Sequence, residues 1–209
     1  MSNTKTKSPA RASARKRRAD AERSIASILE AAVEALASDP DASMAEIARR
    51  AGVVRATIYM HFPTRDSLLD AVMDYGIADV TAAVVAAGPD RDDPRTALER
   101  VLTTSWRKLD RLHSLVAINT ARISAEEFHR RHMPFISAIA PLIQRGQAEG
   151  VLRSDLPAAW HLSMVLAIVH AASGELQSGR IGEADVEAAM LSTVLNALAP
   201  QPGGVARRR

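Results

Sequence analysis

Apolar residues recur at spacings of three and four along this chain, and no stretch alternates apolar with polar residues long enough to make a half-buried strand. That periodicity restricts the fold to helices, so we expect an all-α protein of about nine helices. At 209 residues with 47% hydrophobic composition the chain can bury a real core. The first stripe (Ile25, Ile28, Leu29, Ala32, Val33, Leu36) ends near Ser38, ahead of Asp39 and Pro40. A short helix then starts at Ser43, where Ser-x-x-Glu (Ser43, Glu46) has the spacing of a reciprocal capping box, and closes at Arg50 before Ala51-Gly52. A third short helix covers residues 54–60 and stops before Pro63.

Thr64 caps a long helix over residues 64–87, with the stripe Leu69, Val72, Met73, Gly76, Ile77, Val80 and Val84. Residues 88–94 read as a loop, and Asp93-Pro94 as a cap and first turn for a helix reaching residue 109. Helices over 112–123 and 124–147 follow. The second carries Pro134 and Pro141, which should bend or interrupt it. Pro157 opens a helix to residue 178 that is apolar on nearly every side. The last helix, 184–199, bears one stripe of Val186, Met190, Thr193 and Val194 and another of Leu191, Leu195 and Leu198. Two stripes ask for two partners, which points to a homodimer formed through the last two helices.

The net charge of +3 hides an asymmetry. Residues 1–18 hold Lys5, Lys7, Arg11, Arg15, Lys16, Arg17 and Arg18 with no acid, and the chain ends Arg207-Arg208-Arg209. Removing those ten from 27 basic residues leaves 17 against 24 acids, a body of −7 between basic ends. Residues 1–18 are expected to be a disordered basic arm and 200–209 a disordered tail. Such an arm beside a DNA-binding segment would attract a polyanion. The chain contains no cysteine, which removes disulfides, thiolate catalysis and Cys-built zinc sites. The longest apolar run, residues 164–172, is interrupted by His170 and falls far short of the roughly 20 residues that span a bilayer. With no apolar segment after the basic start, a secretory signal is not expected, nor a membrane partner; the expected compartment is the cytoplasm.

Residues 43–65 meet the requirements of a helix-turn-helix. Ile47, Ala48 and Ala51 give the first helix a small apolar inner face, Gly52 allows the tight turn, and Val53 and Ile58 fill the joint. Arg55, Ala56, Thr57 and Tyr59 are left on or near the outer face of the second helix. In a major groove the N-terminal residues of that helix meet base edges, so Arg55 is assigned to guanine, with Ala56 beside it. Thr57, Tyr59, His61 and Ser43 are placed as backbone contacts, and Arg65, opening the next helix, as a phosphate binder. Phe62 is taken as core, and Arg49 and Arg50 as a solvated face outside the site.

The run Ile47-Ala-x-x-Ala-Gly-Val53, then Thr57-Ile-Tyr-x-His-Phe-Pro-x-Arg-Asp-x-Leu68, resembles the DNA-binding domain of the TetR (tetracycline repressor) family. The likeness covers about residues 20–75, and the later helices resemble that family's effector domain more loosely. It implies a homodimeric regulator, released from a palindromic double-stranded DNA operator by a small molecule, with a DNA-binding domain over 19–63 joined through helix 4 to an effector-binding and dimerisation domain over 64–199. It places Thr57, Tyr59 and His61 on phosphate contacts, Arg55 and Ala56 on the variable reading positions, and Arg65 on the basic residue opening helix 4. Val54 stands where such proteins commonly carry a Ser or Thr cap, a departure of about 1 kcal/mol.

An effector cavity would lie among the helices after Pro63; Trp106 and Phe135 beside Asn119 and Arg122 are the candidate lining. The alternative reading is a helical metal-binding protein or di-iron-type enzyme: Glu126-x-x-His129 has the spacing of di-iron bundles, with His132 one turn on. Such a site wants a second copy, and Asp110-x-x-His113 is the nearest approach. A Gly-rich phosphate loop and a supported nucleophile are both absent, so no enzyme and no cofactor are expected. A third class is an interaction module whose basic ends hold a polyanion without sequence preference.

Overall fold

The computed structural model describes residues 9–200, and all of its regular elements are α-helices, in the order α1 (Pro9–Ser38), α2 (Met44–Arg50), α3 (Arg55–His61), α4 (Arg65–Ala86), α5 (Pro94–Arg111), α6 (His113–Arg122), α7 (Ala125–Ala148), α8 (Ala158–Gln177) and α9 (Glu183–Ala197). Nine helices among the described residues match the periodicity, and the boundaries fall where the caps put them. Asp93 accepts from the backbone N–H groups of Arg95 and Thr96 at 3.0 and 3.1 Å. Thr64 Oγ1 accepts from Ser67 N at 3.0 Å while Ser67 Oγ accepts from Thr64 N at 3.1 Å, a reciprocal box at the start of α4. The Ser43 box forms by half: Ser43 accepts from Glu46 N at 3.2 Å, but the Glu46 carboxylate turns to Arg50 at 3.1 Å and Arg49 at 3.5 Å.

Several expectations are corrected. Residues 9–18 are not a disordered arm but the first turns of α1. Pro9 suits a first helical turn, and the alanines and arginines that follow are strong helix formers with no breaker among them. Arg18 bonds Glu22 one turn on at 3.1 Å. The rest of the arm, 1–8, and nearly all of the expected tail, 201–209, lie outside the described residues. Pro134 and Pro141 do not interrupt α7, which is continuous through both.

The chain divides into two compact units, one ending at Val72 and the other beginning at Met73, so the division falls within α4. The first unit packs α2 against α1 and α3 around Ile28, Leu36, Ile47, Ile58 and Leu68, all fully buried. The second is a bundle in which α8 packs on α9, α7 and α5, and α5 also meets α7 and α9. Its core includes Leu98, Trp106, Leu142, Ile143, Leu152, Met190 and Leu198. Val186, Met190 and Val194 from one stripe of α9, and Leu195 and Leu198 from the other, are all buried inside this unit, whereas Thr193 is exposed. The inference that one stripe of α9 waits for a second copy is therefore overturned: a helix seated between neighbours buries both stripes at home. The exposed positions of α8 and α9 include small residues, Ala159, Ser163, Ala167 and Ala171 at four-residue spacing on α8 and Ala184, Ala188 and Ser192 on α9, beside the 59% exposed Trp160.

Gly146 in α7 explains one close approach in this bundle. A Cβ there would stand 2.5 Å from Leu152 Cγ and Cδ1 and 3.1 Å from Pro94 Cβ.

Candidate nucleic-acid interface and ligand cavity

The turn between α2 and α3 is set by hydrogen bonds rather than by glycine alone. Gly52 takes φ +68, its N–H donates to Arg49 O at 3.2 Å, and Val53 N donates to Ala48 O at 3.0 Å. That is a Schellman closure, available cheaply only to a residue without a Cβ. It hands the chain directly to Val54, the N-cap of α3, whose side chain makes no capping bond and stands 70% exposed. The missing cap foreseen from the sequence is thus real.

Ile58 anchors the inner face of α3, Val53 is half-buried at the joint, and Phe62 is buried below it. The opposite face is formed by Arg55, Ala56, Tyr59 and Met60, all exposed, with Thr57 and His61 half-buried at its edges. Met60 was missed by sequence reasoning; its place one turn after Ala56 was the available signal.

The arginines of this segment separate by what they hold. Arg49 and Arg50 share the Glu46 carboxylate. Arg65 places one terminal nitrogen on Ala42 O and the other on Pro40 O, the latter at 2.7 Å, and so clasps the connection between α1 and α2. Two of its five N–H donors are used this way, so the expected role as a phosphate binder is joined by one inside the fold. Arg55 has no hydrogen bond or ion pair with any described residue, and neither has the Tyr59 hydroxyl. An exposed, unpaired guanidinium at the first turn of a helix can give two parallel N–H donors to a planar acceptor. Ser43 spends its oxygen on the cap of α2 and keeps its own O–H to donate.

The second unit encloses a cavity of about 480 Å³ lined from α4 to α8. Of the four residues proposed for such a pocket, Phe135 alone lines it. Trp106 is 1% exposed within the helical core, and Asn119 is buried, giving Nδ2 to Leu115 O at 2.8 Å and receiving Arg122 on Oδ1 at 3.1 Å. Arg122 is half-buried, and none of these three lines the cavity. The polar lining is instead His129, His132, Gln144, Ser163 and His170. The first two had been weighed as metal ligands.

His132 is oriented by a 2.7 Å bond between Nδ1 and Phe128 O and by stacking on the Phe128 ring at 4.1 Å. Burial depresses its pKa below the usual histidine value, opposed by that hydrogen bond and assisted by His129. Burial likewise depresses His170, with His113 and His132 adding to the effect. His170 and His113 lie 5.9 Å apart, ring centre to ring centre. Glu127 is committed to Arg130 and Arg131, which hold its carboxyl below the ordinary range, and Glu126 is exposed. Among the described residues no three His, Asp or Glu side chains gather as a metal site.

Residues 28–72 match the family model described as bacterial regulatory proteins, tetR family. An HTH-type transcriptional regulator of Mycobacterium tuberculosis is 31% identical over 73% of this chain and 79% of its own length. The HTH-type transcriptional repressor LfrR of Mycolicibacterium smegmatis is 28% identical over 82% of this chain and 88% of its own. The crystal structure of LfrR in complex with proflavine superposes with a TM-score of 0.72, covering 86% of this chain and 98% of that one at 24% identity.

Proposed function

The chain belongs to the tetR family of bacterial regulatory proteins and is a DNA-binding transcriptional regulator rather than an enzyme; from that premise we propose that it is a homodimeric repressor, released from a palindromic operator when a small molecule fills the cavity of its second unit. The observation that carries the reading is the free Arg55 guanidinium on the exposed face of α3. Every other arginine of residues 43–65 is engaged within the chain. Arg55 reads guanine, Ala56 and Met60 offer apolar contact to a neighbouring base, and Thr57, Tyr59, His61 and Ser43 hold phosphates.

Dimerisation through α8 and α9 is supported by the small residues spaced along their exposed sides, next to which the exposed Trp160 offers an aromatic contact, and no longer by a spare apolar stripe. One subunit offers one short α3, so two-fold pairing doubles the sequence that can be read. Effector binding is supported by the cavity's size, which suits a small organic ligand. No helix among the described residues is long and apolar enough to cross a membrane, and the proposed place of action is the cytoplasm, where the DNA lies. The metal-binding or di-iron alternative built on Glu126, His129 and His132 is not retained. Footprinting on the DNA flanking the coding region, with and without candidate effectors, tests the proposal: protection of an inverted repeat, lost on effector addition, is expected, and uniform protection of unrelated duplexes would refute it.

A further inference from the structure

The lining of the cavity is unusual in what it holds. Apolar side chains from five successive helices make most of the wall, with the Phe128 and Phe135 rings among them, and no lining residue is Asp, Glu, Lys or Arg. A charged ligand entering here would shed its hydration with no opposite charge to receive it. The lining nevertheless has one well-prepared polar group. Phe128 O can only accept, so the 2.7 Å bond to His132 fixes the proton on Nδ1. In the neutral ring Nε2 is then a bare acceptor, and no described residue donates to it. Stacking on Phe128 at 4.1 Å and an interplanar angle of 28° holds the ring in one pose. An acceptor fixed in an apolar wall selects for a donor.

Resting on the reading of this cavity as the effector site, we infer that its ligand is an uncharged, largely apolar molecule, flat enough to lie against Phe128 and Phe135, which donates a phenol-type hydroxyl to Nε2 of His132. A cationic ligand of the proflavine kind is excluded by the same wall, although a relative is known in complex with that dye. The depressed basicity of the buried imidazole is in keeping, since a neutral ring accepts where a protonated one does not.

The test uses the full chain at neutral pH and three probes: 1-naphthol, its hydroxyl-free counterpart 1-methylnaphthalene, and proflavine, each titrated calorimetrically and in competition. The expected order is 1-naphthol tightest, 1-methylnaphthalene about tenfold weaker, and proflavine without measurable competition. His132→Phe keeps the ring stack and removes the acceptor, so it should level the two naphthalenes by weakening 1-naphthol alone. Proflavine binding as tightly as 1-naphthol and in competition with it, a hydroxyl preference that survives His132→Phe, or no binding of any probe would each overturn the ligand class. Ala140→Leu and Leu166→Phe, made separately, fill the cavity. If both variants melt like the parent and still bind 1-naphthol as the parent does, the cavity is not the effector site and the broader reading fails. If filling abolishes 1-naphthol binding while proflavine competes in the parent, the ligand class alone is wrong.

Discussion

Replacing Arg65 by alanine distinguishes a clasp from a DNA contact. The side chain is half-buried, and its two terminal nitrogens rest on the carbonyls of Ala42 and Pro40, 23 and 25 residues away in sequence. Hydrogen bonds from a charged donor contribute about 1.5–3 kcal/mol each. Water can reach this site and replace part of what is lost, so the pair together should be worth about 2 kcal/mol. For a unit the size of the one ending at Val72 that corresponds to a fall in melting temperature of roughly 10 °C. Arg65→Lys should recover at most one of the two contacts, because an ammonium has no fork to span two carbonyls. The assay is a thermal melt followed by circular dichroism, paired with operator affinity at several salt concentrations at a temperature where the variant is folded. We expect lower stability together with a slope of log affinity against log salt reduced by about one phosphate's worth. Unchanged stability with that reduced slope would show that Arg65 meets DNA alone and that the clasp reasoning is wrong.

Val54→Ser should supply the cap that α3 lacks, raising the stability of the first unit by about 0.5–1 kcal/mol in urea denaturation; no gain would mean that the exposed valine already contributes as much. Gly146→Ala should destabilise the second unit by about 1–3 kcal/mol, since Leu152 and Pro94 leave no room for a Cβ, and a neutral result would mean the bundle relaxes freely. His161 of α8 is buried, and burial depresses its basicity as it does that of His132 and His170, which makes stability pH-dependent. Their folded values lie below the unfolded value of 6.5, so the unfolded chain takes up protons first and stability should fall as pH drops below about 6.5, with no such change above it. A melting temperature that rises on acidification over that range would contradict this.

Helix content, the caps at Ser43, Thr64 and Asp93, and the turn at Gly52 were legible because each depends on neighbours within a few residues. So was the gap at Val54. The clasp made by Arg65 was not legible for the opposite reason: its partners, Pro40 and Ala42, are distant in sequence, and no local pattern marks an arginine as holding them. The cavity failed in the same way. Trp106 looked like a pocket aromatic, but whether a helix position faces core or void depends on which helices meet there, and α5 turns Trp106 into the packing. His129 and His132 carried a usable signal, a pair of polar residues on the apolar side of α7, and it was read as metal chemistry because spacing alone cannot tell a ligand from a wall. The two stripes of α9 show that double-sided apolarity reports the number of neighbours, not whether they belong to another copy.

The central claim is that α3 reads sequence through Arg55, and selection of binding sites from a random duplex pool tests it most directly, using the parent chain and Arg55→Ala side by side. The account predicts that the parent enriches an inverted repeat with a guanine in each half-site, and that Arg55→Ala still binds but loses that guanine. Enrichment of the same repeat, guanines included, by both chains would contradict it.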